Sequence, residues 1–357
     1  MKIILYLIYV MSFVGIIYSC STNKQKLADF NEASFLSTFH LADGNKYHND
    51  SLFLGNPILL RFHPDSFLLF SDKGNNLVTI IDLKNNKIQK VIKQGKGPGE
   101  LITAYGVEIQ GKDVYIFCPL MGKVVKLKPD PNRKFQIIDE FNLNEKGAIR
   151  FYPVKEDLFV CLSKIGDEKR LTFLDKKGRI LKKIGDYPSL LNNKMIRGDN
   201  NIFQSHIIAT PNGNKILLAC STTDILEIYD TDKGLMKRFQ GPIGINITVT
   251  KKDVGVGIGM HTEPSYSTYC MVCANENEFW TGFVGYKFEK QKRSTILDTS
   301  PKRIFCFDWK GNPLRKIEFD NILHGFDVDW KNKILYTIQW LKENPVIVSY
   351  SVNSILN

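Results

Sequence analysis

Histidine is scarce in this chain: there are six in 357 residues, and His40, His48, His63, His206, His261 and His324 show no His-x-x-x-His or His-Glu spacing. No metal or nucleophile set can therefore be argued from their positions. A Gly-x-Ser-x-Gly elbow is also missing, so nothing points to the strand-turn-helix nucleophile of the hydrolases. Cysteine is limited to seven residues, too few for a fold of this length to be held together by disulfides. Cys270-Met271-Val272-Cys273 has half of a zinc or redox motif, but no second Cys or His pair completes it. No stretch after the first seventeen residues reads as a long amphipathic helix. The composition, 43% apolar with 26 Gly and 14 Pro, lacks the bias of a disordered or collagen-like chain. What remains is an ordinary globular composition, long enough for two domains or one large repeat fold.

The N-terminus carries an address. Lys2 is followed by Ile3 to Ile17 without a charge; about 15 apolar residues suit a signal-peptide core and fall short of the roughly 20 needed to span a bilayer. The run ends in Ile17-Tyr18-Ser19-Cys20, which resembles the lipobox of bacterial lipoproteins, with Cys20 as the lipidated residue. Acyl chains there would tether the protein to a membrane without spanning it. Ser21 follows the Cys, which by resemblance to enterobacterial lipoproteins implies the outer membrane. Thr22, Asn23 and Lys24 stand where surface-exported lipoproteins of Bacteroidetes carry acidic residues. The expected placement is therefore an outer-membrane lipoprotein facing the periplasm, with the cell surface left open.

A recurring unit fills the rest of the chain. Its best copies are Ile81-Asp82-Leu83-Lys84-Asn85-Asn86-Lys87-Ile88, Leu174-Asp175-Lys176-Lys177-Gly178-Arg179-Ile180, Tyr229-Asp230-Thr231-Asp232-Lys233-Gly234-Leu235 and Phe307-Asp308-Trp309-Lys310-Gly311-Asn312-Pro313-Leu314. Each reads as a hairpin, with Asp and Gly or Asn in the turn and β-branched or aromatic residues on both sides. Leu127-Lys128-Pro129-Asp130-Pro131-Asn132 is a degenerate copy, and a sixth unit ends at Val348-Ser349-Tyr350. Six units over about 320 residues give about 53 residues each, near the period of a propeller blade. The preceding strands are expected at Phe67–Phe70, Val114–Phe117, Leu158–Val160, Ile216–Ala219, Tyr269–Val272 and Ile334–Ile338, with an insertion around Lys287 to Ser300. The last unit runs out after its third strand, so an N-terminal run such as Ser34–Leu41 is expected to supply the fourth and close the ring. Cys118, Cys161, Cys220 and Cys273 close similar apolar runs. On this register they fall in different blades, beyond disulfide reach, and read as small buried hydrophobes.

Gln94-Gly95-Lys96-Gly97-Pro98-Gly99-Glu100-Leu101 resembles the glycine-rich loop of NHL-type propellers, and more closely the G-x-G-P-G-E segment of six-bladed, TolB-like propeller lipoproteins of Bacteroidetes. The strand-like residues after it argue against a phosphate loop, which leads into a helix. Gly95, Gly97, Pro98 and Gly99 are expected to turn the chain from one blade into the next. TolB itself adds an N-terminal domain for which about 14 residues after Cys20 leave no room, so the likeness is expected to cover the propeller alone. The expected architecture is all-β, a six-bladed β-propeller with four-stranded blades closed by an N-terminal strand. Its divisions are 1–19 signal peptide, 20–33 lipidated Cys and tether, and 34–357 propeller.

Ligands of such propellers usually meet the face of the outer-to-inner and second-to-third strand loops. On this register the candidates there are Glu100, Arg150, Arg197, Asn201, Gln204, His261, Glu263 and His324. Arg150 or His324 suits an anionic or sugar-like ligand, and Glu263 suits a cation. Gly255-Val256-Gly257-Ile258-Gly259-Met260 strips one strand face, for close approach of a ligand or of another backbone. The net charge of +11 is spread over hairpin turns, which solubilises rather than marks a nucleic-acid site. The function expected is a lipid-anchored binding or scaffolding module for an envelope protein or glycan, with no catalytic residue, no cofactor and no nucleic acid. The competing expectation is a propeller hydrolase, lyase or lactonase holding a divalent metal such as calcium in its tunnel.

Overall fold

The computed structural model describes residues 28–72, 76–164, 167–188, 202–245, 248–253, 258–263, 265–289, 295, 298–341 and 344–356; of 248–253 and 258–263 it describes the backbone alone. Six of the seven sheets described are blades that succeed one another along the chain. Blade I comprises Ile58–His63, Phe67–Ser71, Asn76–Asp82 and Lys87–Lys93, and blade II comprises Gly106–Gln110, Asp113–Cys118, Lys123–Pro129 and Phe135–Asn142. Blade III comprises Phe151–Lys155, Leu158–Leu162, Lys169–Asp175 and Ile180–Asp186, and blade IV comprises Ser205–Ala209, Lys215–Cys220, Ile225–Asp230 and Gly234–Gln240. Blade V comprises Tyr266–Ala274, Glu278–Lys287, Arg303–Asp308 and Pro313–Phe319. Blade VI takes Leu323–Asp329, Ile334–Leu341 and Asn344–Ser351 from the C-terminal end and its outer strand, Asn45–Lys46, from the N-terminal end. The protein is an all-β, six-bladed propeller closed by an N-terminal strand, and the helical content described is 3-10 alone, at Glu32–Ser34 and at 202–203.

The repeated Asp explains why these units form hairpins. Asp82, Asp175, Asp230 and Asp308 each end a third strand, and each turns a carboxylate oxygen onto the backbone N–H two residues on, at Lys84 (3.0 Å), Lys177 (2.9 Å), Asp232 (2.9 Å) and Lys310 (2.8 Å). The side chain thus imitates a backbone turn and sets the reversal locally. In the degenerate copy of blade II, Asp130 accepts from Lys134 N at 2.8 Å instead. Blades are stitched to their neighbours by ion pairs: half-buried Arg133 of blade II pairs with Asp82 of blade I at 2.6 Å, and Arg170 of blade III with Glu227 of blade IV, both buried, at 2.8 Å. Between them lies a core in which Trp280, Tyr229, Tyr269, Phe173 and Phe305 are fully buried.

Two details depart from the sequence reading. Ser37–Leu41 does not close blade VI; it runs parallel to Pro313–Phe319 as a fifth strand on blade V. The closing pair Asn45–Lys46, antiparallel to Val348 and Ser349, comes later in the chain. The strand Tyr269–Val272 is the innermost of its blade rather than the second, a place taken by Phe279-Trp280-Thr281. The unit is displaced because blade V has an extra hairpin before it, Thr248–Asp253 with Ile258–Glu263. It also has a long link from Lys287 to Arg303, where the insertion was expected; 290–294 and 296–297 of that link lie outside the described residues. Cys273 therefore sits one strand further in than Cys118, Cys161 and Cys220. Those four and Cys270 and Cys306 are free thiols, and burial raises Cys270 to about 12.

Candidate functional site

The loop Gln94 to Leu101 joins the outer strand of blade I to blade II. Gly95 N–H donates to Leu101 O at 3.1 Å, while Gly97 N–H donates to the Glu100 carboxylate at 2.9 Å. A Cβ on Gly95 would collide with that carboxylate, and Gly99 has φ +69. Gly99 N–H donates to Glu140 at 2.6 Å, and Lys123 binds both Glu140 (2.8 Å) and Gly97 O (3.1 Å). Lys123 and Gly99 N–H together hold the Glu140 carboxyl below its ordinary range. Two of the N–H groups that a phosphate would need are thus occupied by the chain's own carboxylates. Glu100 acts here as a turn cap.

The inner strands converge on a central tunnel, and charge is set into it. Arg61 of blade I sends Nε and Nη2 to Glu108 Oε2 of blade II (3.0 and 2.9 Å), and Nη1 across to Val272 O of blade V (3.1 Å). Both side chains are buried. Burial opposes the charge on Arg61, yet Glu108 and Asp327 outweigh it and hold the guanidinium above its ordinary value. This pair bars the tunnel. On the side of the outer-to-inner loops the remaining space is about 20 Å³, lined by residues of all six blades that include Tyr105, Arg150, His206, Met271 and Gly325, room for one water. Arg150 lies over the Tyr105 ring, 4.5 Å from its centroid. No carboxylate within 4.0 Å pairs with Arg150 among the described residues. His206 is driven well below its ordinary value by burial and then by Arg150 and Arg61, which keeps it neutral.

On the opposite side, where the first and second strands of each blade turn, the tunnel widens into a cavity of about 330 Å³. Its lining includes Asp327, Tyr152, Trp330, Pro64, Pro153 and Pro211. Asp327 accepts from Phe62 N–H (2.9 Å) and Val328 N–H (2.8 Å), and burial raises its carboxyl against the pull of Arg61.

The other expected residues are dispersed. His324 is buried at the start of the blade VI inner strand, where its Nδ1 accepts from Trp340 Nε1 at 2.7 Å and its Nε2 has no partner; burial lowers it to about 4. Gln204 precedes the blade IV inner strand, and its carbonyl accepts from Ser221 N and Oγ. His261 and Glu263 are in the extra hairpin, where only the backbone is described. Cys20, Arg197, Asn201 and residues 254–257 of the glycine-alternating run lie outside the described residues. Of the four whose side chains are described, Glu100, Arg150, Gln204 and His324, the tunnel lining includes Arg150 alone. It takes in Arg61, Tyr105, Glu108, Tyr152, His206, Asp327 and Trp330, which the sequence reading did not select. The signal was present, since Arg61, Glu108 and Asp327 each stand between two apolar neighbours in an inner strand. Among the described residues, no group of three or more His, Cys, Asp or Glu is placed to hold a metal ion.

A family model described as TolB-like 6-blade propeller-like matches residues 45–331. The chain belongs to this TolB-like propeller family. No curated protein matches it. Among solved structures it is similar to a member of the DUF4221 family from Bacteroides vulgatus, with 11% identity over 85% of this chain and 94% of that one and a TM-score of 0.54. A putative exported protein from Bacteroides fragilis is similar with 12% identity over 87% and 98%, at a TM-score of 0.51. At such identities the TolB-like chain shares a fold with these two proteins and nothing finer.

Proposed function

We propose that this propeller is a non-catalytic binding or scaffolding module of the bacterial envelope, anchored through a lipid on Cys20 to the outer membrane and facing the periplasm. In this reading it engages a protein or glycan partner across the face of the outer-to-inner strand loops. One observation carries it: on that face the tunnel is filled to about 20 Å³ behind the Arg61–Glu108 pair. On this face a substrate has no cavity to enter, whereas a partner needs a surface. Arg150 on its tyrosine is one polar feature that this face offers, and a guanidinium with no carboxylate within 4.0 Å among the described residues suits an acidic group of the partner.

The test compares the full chain and its Arg150→Glu variant in capture of acidic envelope glycans and of envelope proteins from the producing cells. Reversing the charge is expected to weaken the captured interaction at least about tenfold, or roughly 1.4 kcal/mol. Equal capture by both forms would contradict the role of Arg150, and EDTA-sensitive hydrolysis of a lactone or glycan would contradict the module itself. Labelling with radioactive palmitate, expected for the natural chain and lost in Cys20→Ala, checks the anchor separately.

A further inference from the structure

The wider mouth of the tunnel lies on the other face, and its chemistry is different. Three prolines, Pro153 within the inner strand of blade III and Pro64 and Pro211 in the turns after the inner strands of blades I and IV, stand around a cavity of about 330 Å³, within the size of small-molecule sites. Proline rings cannot rearrange their backbone angle, so the rim is formed in advance and little ordering is needed on binding. Tyr152 and Trp330 add aromatic surface to a lining otherwise made largely of Ile109, Val154, Ile208 and Val328.

Asp327 gives this cavity its sign. The nearest guanidinium, Arg61, directs Nε and Nη2 to Glu108 and Nη1 to the carbonyls of Leu60 and Val272. Asp327 itself accepts from two backbone N–H groups, Phe62 and Val328, and no Lys, Arg or His pairs with it within 4.0 Å among the described residues. A carboxylate has about four acceptor positions, so two remain. With Arg61 balanced by Glu108, the group of three carries a net negative charge beside apolar and aromatic walls. Such a site favours a cation that carries its own hydrocarbon, since ring faces attract the charge while the walls bury the carbon.

We infer that this mouth binds an alkylammonium group, with the nitrogen on Asp327 and the chain along Tyr152, Trp330 and the prolines. The group can belong to a free amine or to a lysine side chain of a polypeptide. The site lies across the Arg61–Glu108 bar from Arg150, so it stands independently of the partner face and of the anchor.

The experiment titrates the full chain, in non-ionic detergent and amine-free phosphate buffer, with butylamine, butanol, N-acetyl-lysine amide and N-acetyl-norleucine amide, read by tryptophan fluorescence and calorimetry. Butylammonium is expected to saturate, with butanol at least about tenfold weaker, a difference of about 1.4 kcal/mol. Asp327→Asn should lose the preference for the amine. Ala274→Leu, which keeps every charge and fills part of the cavity, should weaken butylammonium binding as well. Near-UV circular dichroism reports whether Asp327→Asn still folds; where it does not, Ala274→Leu decides. Tighter binding of the lysine amide than of butylamine assigns the site to a polypeptide, and the reverse order to a free amine. Equal binding of amine and alcohol, no saturation by either amine, or binding unchanged by Ala274→Leu would overturn the proposal.

Discussion

Burial at single positions in this propeller fixes protonation states, and His324 gives the plainest case. Trp340 donates to its Nδ1, which places the imidazole proton on Nε2, and burial holds the ring neutral down to about 4. An unfolded histidine titrates near 6.5. The folded value is depressed, so the stabilisation is complete above about 6.5 and drains away as pH falls from there toward 4. Between pH 7.5 and 5.0 this amounts to about 2 kcal/mol. His63, buried against the Lys112 carbonyl, is lowered as well and acts in the same direction. Urea unfolding at the two pH values is expected to show that loss. His324→Gln, which keeps an acceptor for Trp340, should flatten the pH dependence by about 2 kcal/mol. An unchanged pH dependence in the variant would mean that His324 carries its proton in the folded protein without cost.

Among the elements, those set by local chemistry were the most legible in the sequence. The four Asp hairpins could be read because each turn is made by a side chain two residues from the N–H it binds. The glycine loop could be read for a similar reason: its N–H groups and Glu100 are near neighbours. What the sequence hid depends on partners far along the chain. Whether Ser37–Leu41 joins blade V or blade VI is settled by pairing to residues around 315 or 348, and nothing in its own alternation distinguishes them. Arg61 meets Glu108 and Val272 only after the ring has closed, so charge in an apolar strand was the one trace of the tunnel. The loop also has a distant support. Lys123, on the third strand of blade II, is 7% exposed and fastens Gly97 O and Glu140. Lys123→Met keeps the apolar stem while leaving a carbonyl and a carboxylate without their cation. It is expected to cost about 1–3 kcal/mol. Chemical denaturation measures this, and a change below about 0.5 kcal/mol, the range of an exposed ion pair, would show that water replaces the ammonium freely.

For the whole molecule, the segment 29–49 acts as a belt around four blades. Asp29 N–H donates to Gln240 O of blade IV, Leu36 N–H to Leu314 O of blade V and Tyr47 N–H to Ile347 O of blade VI. Asn49 reaches Asn86 of blade I at 2.8 Å. Phe30 is the belt's main apolar attachment: it packs on Phe239 of blade IV at 6.0 Å and Phe307 of blade V at 5.3 Å between ring centroids, and against Phe35. A lipid on Cys20 would lie eight residues before Ala28, a reach of at most about 29 Å, so the anchor proposed above would hold the belt, and with it the edge of blades IV and V, near the membrane. The belt also joins the first blade to the last, so loosening it weakens the closure of the ring and not one sheet alone. Phe30→Ala removes a ring that is 6% exposed and is expected to cost about 3–5 kcal/mol. Because four blades share the belt, the loss should appear as one cooperative transition moved to lower denaturant, with fluorescence and far-ultraviolet dichroism coincident. Separate transitions by the two signals would mean that the blades unfold as nearly independent repeats, with closure contributing little to their cohesion.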